Sequence, residues 1–208
     1  MTREEYVFYP ALSASRIKRH YTGDISYASK ALDAGADFHR RLLEVSPDYM
    51  DSEAKCVYKS IVANTPWQQL WNDSLKEYPA INNLAIGGQV IPAKAMLDLY
   101  PKSYGIGCDI KTTSCTNMAD FARDMVHHYN HIQAVWFSKV VGIDPRGFVF
   151  IGVPHSARRG LVKPGNIFFY SFDDTLIHQA ELLIEQYIRS EWKEVQRFLN
   201  TRPQGVAR

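Results

Sequence analysis

The chain has 208 residues with 46% hydrophobic content, a size and composition that suit one folded unit with its own core and need no staple or metal to fold. Its 24 Lys and Arg against 22 Asp and Glu leave a net charge of only +2, so any surface for nucleic acid must be local. Three cysteines (Cys56, Cys108 and Cys115) with no CxxC pair exclude a disulfide framework, a zinc ribbon or a cysteine-held cluster, and fit a reducing, cytoplasmic setting.

Residues 11–76 read as helical. Ser13 or Ser15 is placed to cap a short helix through Ile17, Lys18 and Arg19. Ala31, Ala34, Phe38, Leu42 and Val45 recur at helical spacing from Ser26 to Glu44, and Pro47 ends that run. Two more helical stretches follow, Ser52 to Val62 and one carrying Trp67, Leu70, Trp71 and Leu75. The pattern changes at Pro79: Gly87-Gly88 suits a turn, and Gln89–Leu99 and Gly105–Thr113 read as strands. Asn117–His128 and Asn130–Val141 are predicted helices, Gly147–Val153 and Asn166–Ser171 β-rich. Asp173 caps a long final helix with an apolar stripe of Leu176, Ala180, Leu183, Ile184 and Tyr187. The expected architecture is mixed α/β: a central mixed sheet flanked by helices, in a single domain 1–208 with a helical N-terminal region (residues 1–78) and a sheet core (residues 79–200). No apolar run approaches the roughly 20 residues of a membrane helix, and the acidic N-terminus carries no apolar signal segment, so neither a membrane nor secretion is expected.

The chemistry concentrates between Lys94-Ala-Met-Leu-Asp98 and Asp109-Ile-Lys111. Alternation on a strand turns Asp109 and Lys111 to one face. Pro101, Ser103 and Gly105 supply turn residues, and a hairpin centred near Ser103-Tyr104 sets Asp98 opposite Asp109. Two carboxylates so placed repel unless a hard divalent cation lies between them. A lysine beside them then serves to orient or deprotonate a water, or to steady charge on a phosphate. By spacing alone, a pair of exposed strand acids with a cross-face salt bridge is the better reading; the half-buried alternation around Asp109 shifts it, because acids on such a strand need partners.

Several segments together resemble the RecE-type phage exonucleases of the PD-(D/E)XK nuclease superfamily. Asp109-Ile-Lys-Thr-Thr113 is similar to the family's DxKTT strand, and Lys94-Ala-Met-Leu-Asp98 to the strand before it. Tyr129-Asn-His-Ile-Gln133 with Trp136-Phe137 resembles its YxxQ helix. Gly35-Ala-Asp-Phe-His39 and the residues to Glu44 resemble its N-terminal histidine helix, and Leu12-Ser-Ala-Ser15 its start. These matches keep family order across residues 12 to 137.

The resemblance implies a restriction-endonuclease-like core and a metal-dependent DNA exonuclease, acting 5′ to 3′ on linear duplex in phage-type replication or recombination. It implies one or two Mg²⁺ or Mn²⁺ ions on Asp98, Asp109 and the backbone carbonyl of Ile110, with His39 as a ligand of a second metal or a substrate-side helper. Lys111 would be catalytic, with Gln133 positioning it or contacting the DNA backbone, and Tyr129, on the same helix face, would contact DNA. Thr112, Thr113, Ser13 and Ser15 would contact DNA. A homo-oligomeric ring and a single-strand annealing partner are further expectations. Met96-Leu97 departs from the arginine and proline of relatives, and Glu77 is the nearest acid to a glutamate that some relatives carry before the Asp98 strand, without being assigned to it. A single-strand or structure-specific endonuclease, and an inactive DNA-binding protein, are the alternatives.

Basic residues that could face a DNA backbone are Arg16, Lys18 and Arg19, the Arg158-Arg159 and Lys163 run, and Arg197, Arg202 and Arg208. His127, His128 and His131 are expected at the surface or facing DNA, and Trp67 and Trp71 in the core.

Overall fold

The computed structural model describes residues 2–23, 29–63, 65–154 and 167–200. Arg158, Arg159, Lys163, Arg202 and Arg208 lie outside the described residues. Helices α1 (Arg3–Phe8), α2 (Ala14–Thr22), α3 (Ser29–Leu43), α4 (Ser52–Val62) and α5 (Thr65–Asp73) precede the main strands, with a two-residue β1 (Leu12–Ser13) between α1 and α2. Then come β2 (Leu75–Ile86), β3 (Gln89–Tyr100), β4 (Gly107–Thr113), α6 (Met118–His127), α7 (Asn130–Val141), β5 (Phe148–Pro154), β6 (Phe168–Tyr170), α8 (Asp174–Ser190) and α9 (Trp192–Asn200).

The sheet runs β1-β3-β4-β5-β6, with β2 on the other edge of β3. The pairs β1–β3 and β4–β5 are parallel and the rest antiparallel. β2 and β3 form a hairpin from Leu75↔Tyr100 to Ile86↔Gln89, interrupted only at Glu77. Its two-residue turn needs positive φ at both positions, which Gly87 (58°) and Gly88 (79°) adopt without a Cβ clash.

Two cores lie against the sheet. One gathers Ile17, Phe121, Ile132, Trp136, Phe150 and Ile184 under α2, α6, α7 and α8. The other gathers Phe38, Leu42, Val57, Ile61, Trp71, Ile110 and Ile151 under α3, α4 and α5. α7 is buried on nearly every side, from Asn130 through Ser138. It therefore shows no polar face, as a central helix should. Each large apolar side chain there contributes roughly 1.5–3 kcal/mol relative to exposure. Gly152 is required where β5 passes under α6, because a Cβ would lie 2.7 Å from the Phe121 ring.

Several expectations need correction. The stretch 11–76 is not all helix, because Leu12–Ser13 adds a parallel strand to β3 and β2 already begins at Leu75. The helical region thus ends at Asp73, and Pro79 sits inside β2, opposite Met96. The helix read from Ser26 is described from Ser29 and ends at Leu43. The long C-terminal helix is followed by a second, α9, after a break at Glu191. α4 and α7, by contrast, have the expected bounds. Trp71 is buried, and Trp67 stacks on Phe169 at 4.3 Å, so both tryptophans are packing residues.

Candidate active site

The site lies where β3 changes partner. One edge of β3 is taken by β2 from Gln89 to Tyr100, with a gap in the pairing at Asp98. The other edge pairs with β1 at Ala93 and Lys94, then with β4 only at Leu99↔Cys108. Between these two partners the ladder is open, and Asp98 fills the opening: its carboxylate accepts the Ile110 N–H at 2.6 Å. A side chain thus substitutes for a ladder carbonyl, and the donor of a buried strand is satisfied. Extending the Leu99↔Cys108 register by one step sets Asp98 against Asp109, as the hairpin reading required. Both are buried, at 7% and 6% exposure.

Asp109 is held from two sides. Gln133 of α7 donates its amide N–H to Oδ1, and the Lys111 ammonium lies 2.6 Å from Oδ2. The Gln133 carbonyl oxygen accepts from Lys111 at 3.1 Å, so one amide spans acid and amine. Oδ2 meets the ammonium as an ion pair without hydrogen-bond geometry. Burial raises the Asp109 pKa above the usual carboxylate value; Lys111 offsets part of this, and the charge of Asp98 adds to it.

His39, from α3, approaches across the second core, its Nδ1 3.4 Å from Asp98 Oδ2. Burial opposes the imidazolium, but the hydrogen bond and charge of Asp98 and the charge of Asp109 outweigh it and raise the His39 pKa. Glu77 completes a group: one ligand atom each from His39, Glu77 and Asp98 lie within 4.8 Å of one another. Two carboxylate oxygens and an imidazole nitrogen fit Mg²⁺ or, with the nitrogen, Mn²⁺. Asp109 stands beside this group, its oxygens turned to Gln133 and Lys111.

From the sequence, Glu77 is left unassigned because no motif match singles it out. Only the β2–β3 register, Lys76↔Leu99 and Tyr78↔Leu97, brings it across from Asp98. Its φ of 46° is left-handed, a costly conformation for a residue with a side chain, and of the kind that clusters at functional sites. The core packing of β3 also changes here: Leu97 joins one core and Leu99 the other.

A cleft of about 690 Å³ opens in front of these residues, with Ser15, Lys18, His39, Ile110, Lys111 and Thr112 in its walls. Ser15 is exposed, whereas half-buried Ser13 precedes α2 without a side-chain cap bond. Thr113 is buried, and its hydroxyl oxygen accepts from the Cys115 N–H. Tyr129 is not on the helix face of Gln133. It precedes α7 with φ of 53° and stacks between Tyr21 and His131. His131 is also misjudged as a surface residue: it is 2% exposed, with both ring nitrogens unpartnered, and burial pushes its pKa down to about 4. His127 is exposed, and His128 pairs with Asp124 at 3.2 Å. The Trp136 indole N–H donates to the Lys94 carbonyl, which ties α7 to β3. The three cysteines are free thiols. Among the described residues no helix is long and apolar enough to cross a membrane.

No protein-family model and no curated protein matches this chain. Among solved structures, the crystal structure of a "Putative exonuclease" from Eubacterium rectale aligns over 98% of this chain and 88% of its own, at 15% identity and a TM-score of 0.59. A second solved chain, 14% identical over 83% of this chain and 84% of its own, has a TM-score of 0.35 and carries no argument. The likeness to the first is one of fold alone, and the fold of this chain is mixed α/β, a central mixed sheet flanked by helices.

Proposed function

We propose that this chain is a divalent-metal-dependent deoxyribonuclease, and specifically an exonuclease acting 5′ to 3′ on linear duplex DNA. The observation that carries the reading is the assembly of Asp98, Asp109, Lys111 and Gln133 beside the His39–Glu77–Asp98 donor group, of which Lys111 and His39 line one cleft. Buried acids are costly unless paired or bound to a cation. Here three acids and one ammonium gather at a point where the sheet is open.

His39, Glu77 and Asp98 would hold a Mg²⁺ or Mn²⁺ ion, with Asp109 and the Ile110 carbonyl as neighbours able to join when the site rearranges. Such an ion supplies Lewis acidity toward a phosphoryl oxygen and lowers the pKa of bound water. Lys111 meets the charge that gathers on the phosphate, or holds the attacking water. Gln133 keeps its amine and the Asp109 carboxylate in fixed relation, so neither reorganises during reaction. Thr112 and Ser15, in the same walls, offer hydroxyls to the DNA backbone.

Digestion of a 5′-phosphorylated linear duplex beside a covalently closed circle tests this. The expected result is mononucleotides from the linear DNA in Mg²⁺, none in EDTA, and an intact circle. Cutting of the circle would convert the reading to an endonuclease. DNA binding with no turnover in Mg²⁺ or Mn²⁺ would make the chain a binding protein. Assembly into a ring of copies and action beside a single-strand annealing protein complete the proposal, and light scattering of the purified chain measures the first.

A further inference from the structure

Three basic residues of α2 were candidates for meeting DNA, and their surroundings differ. Arg16 is taken: its guanidinium pairs with Glu194 at 2.7 Å and lies 4.4 Å over the Phe198 ring. Arg19 is an exposed residue at the cleft. Lys18 is part-buried in the cleft wall, with its ammonium fixed by the Asn130 side-chain oxygen at 2.6 Å. Asn130 is itself 3% exposed, and its amide nitrogen reaches the Met125 sulfur at 3.4 Å. The partner of Lys18 is therefore rigid and neutral. No carboxylate among the described residues lies within ion-pair distance of it.

We infer that Lys18 is a phosphate-binding residue, gripping a phosphate of the DNA strand next to the one that Lys111 serves. This rests on the nuclease reading and deepens it by naming a second backbone contact. Lys18 and Lys111 line one cleft; burial pushes the Lys18 pKa down to about 7, the charge of Lys111 adds to this, and the charge of Asp109 offsets part of it. The buried, unpartnered imidazole of His131 feels the charge of Lys18 as well. A desolvated ammonium whose one hydrogen-bond anchor is neutral, in the same cleft as a second ammonium, is a poor structural device. It is a good anion site, because a phosphate entering the cleft relieves both the repulsion and the missing pairing. Asp124, the carboxylate in the same wall, is already engaged by His128.

The rival is a tether that merely joins α2 to α7. Two measurements on the full chain separate them. The first is binding of a fluorescein-labelled 20-base-pair duplex with Ca²⁺ in place of Mg²⁺, followed against salt. Lys18→Gln should weaken binding about 10- to 100-fold. It should also reduce the slope of log K against log salt by about 1. The second is thermal unfolding without DNA. Lys18→Met, which keeps the length and removes the buried charge, should match or exceed the wild-type Tm. An unchanged affinity and slope in Lys18→Gln overturns the inference, and so does a Tm of Lys18→Met lower by more than about 4 °C, the mark of a tether. If the wild type itself fails to bind the duplex, the nuclease reading falls first; if it binds and cleaves while Lys18→Gln does so equally, only the role of Lys18 is lost.

Discussion

Replacing Glu77 by Gln isolates the residue that only the folded chain placed at the site. The change keeps shape and backbone but removes one of two carboxylates from the His39–Glu77–Asp98 group. An ion present at about 100 times its Kd stabilises the native state by about 2.7 kcal/mol. For a chain of this length that is a rise in Tm of roughly 5–10 °C. Altering even an outer partner of a metal ligand weakens binding about 10- to 100-fold. At the upper end of that range the same ion concentration equals the variant's Kd, leaving about 0.4 kcal/mol and a shift of roughly 1–2 °C. In EDTA the order should invert. Glu77 is opposite Asp98 across the β2–β3 ladder, and opposed like charges destabilise a pair by roughly 0.2–1 kcal/mol. Glu77→Gln should then melt at or slightly above the wild type. Differential scanning fluorimetry of both proteins in Mn²⁺ and in EDTA decides the matter. An equal Mn²⁺ shift in the two would refute the donor group as drawn.

Lys111→Gln should abolish cleavage of labelled linear duplex yet keep the Mn²⁺ shift in Tm, because the amine bridges to Asp109 and Gln133 and lies outside the donor group. Without metal, stability should fall as pH rises. The folded pKa values of Asp109 and His39 lie above their ordinary 3.8 and 6.5, so the native state holds the extra protons. For Asp109 the loss begins above 3.8 and continues through its raised pKa; for His39 it begins near 6.5. Urea unfolding in EDTA across pH 4–8 measures this, and Mn²⁺, which needs deprotonated ligands, should flatten or reverse the trend. A decline unchanged in Asp109→Asn would remove Asp109 as its source. Gly152→Ala should cost about 1–3 kcal/mol in urea midpoint measurements, since its Cβ would meet three Phe121 ring atoms at 2.7–2.9 Å.

Local order alone was enough for a good share of this protein. α4 and α7 could be bounded from their apolar spacing and flanking residues, and Asp109 with Lys111 shared a face because strand side chains alternate. The turn residues near Ser103 were enough to propose Asp98 against Asp109. Gln133 was reached through a motif, and its bond to both Asp109 and Lys111 gives that motif a physical reason.

What remained hidden depends on contacts between distant segments. Glu77 lies just past the stretch that reads as helical, with no motif to single it out; the pairs on either side of it, Lys76↔Leu99 and Tyr78↔Leu97, bring it to Asp98 and His39. Leu12–Ser13 is too short to show a period, and is a strand only because Lys94 and Ala93 are beside it. Tyr129 reads by its spacing as sharing a helix face with Gln133, but its left-handed backbone places it before the helix, in an aromatic stack. Arg16, Lys18 and Arg19 are alike as letters on one helix, and they separate only when Glu194 claims the first and Asn130 anchors the second. Backbone periodicity is a property of neighbours along the chain and can be read from them. Burial, pairing and charge at the cleft are set by residues up to 112 positions apart, and folding alone brings those together.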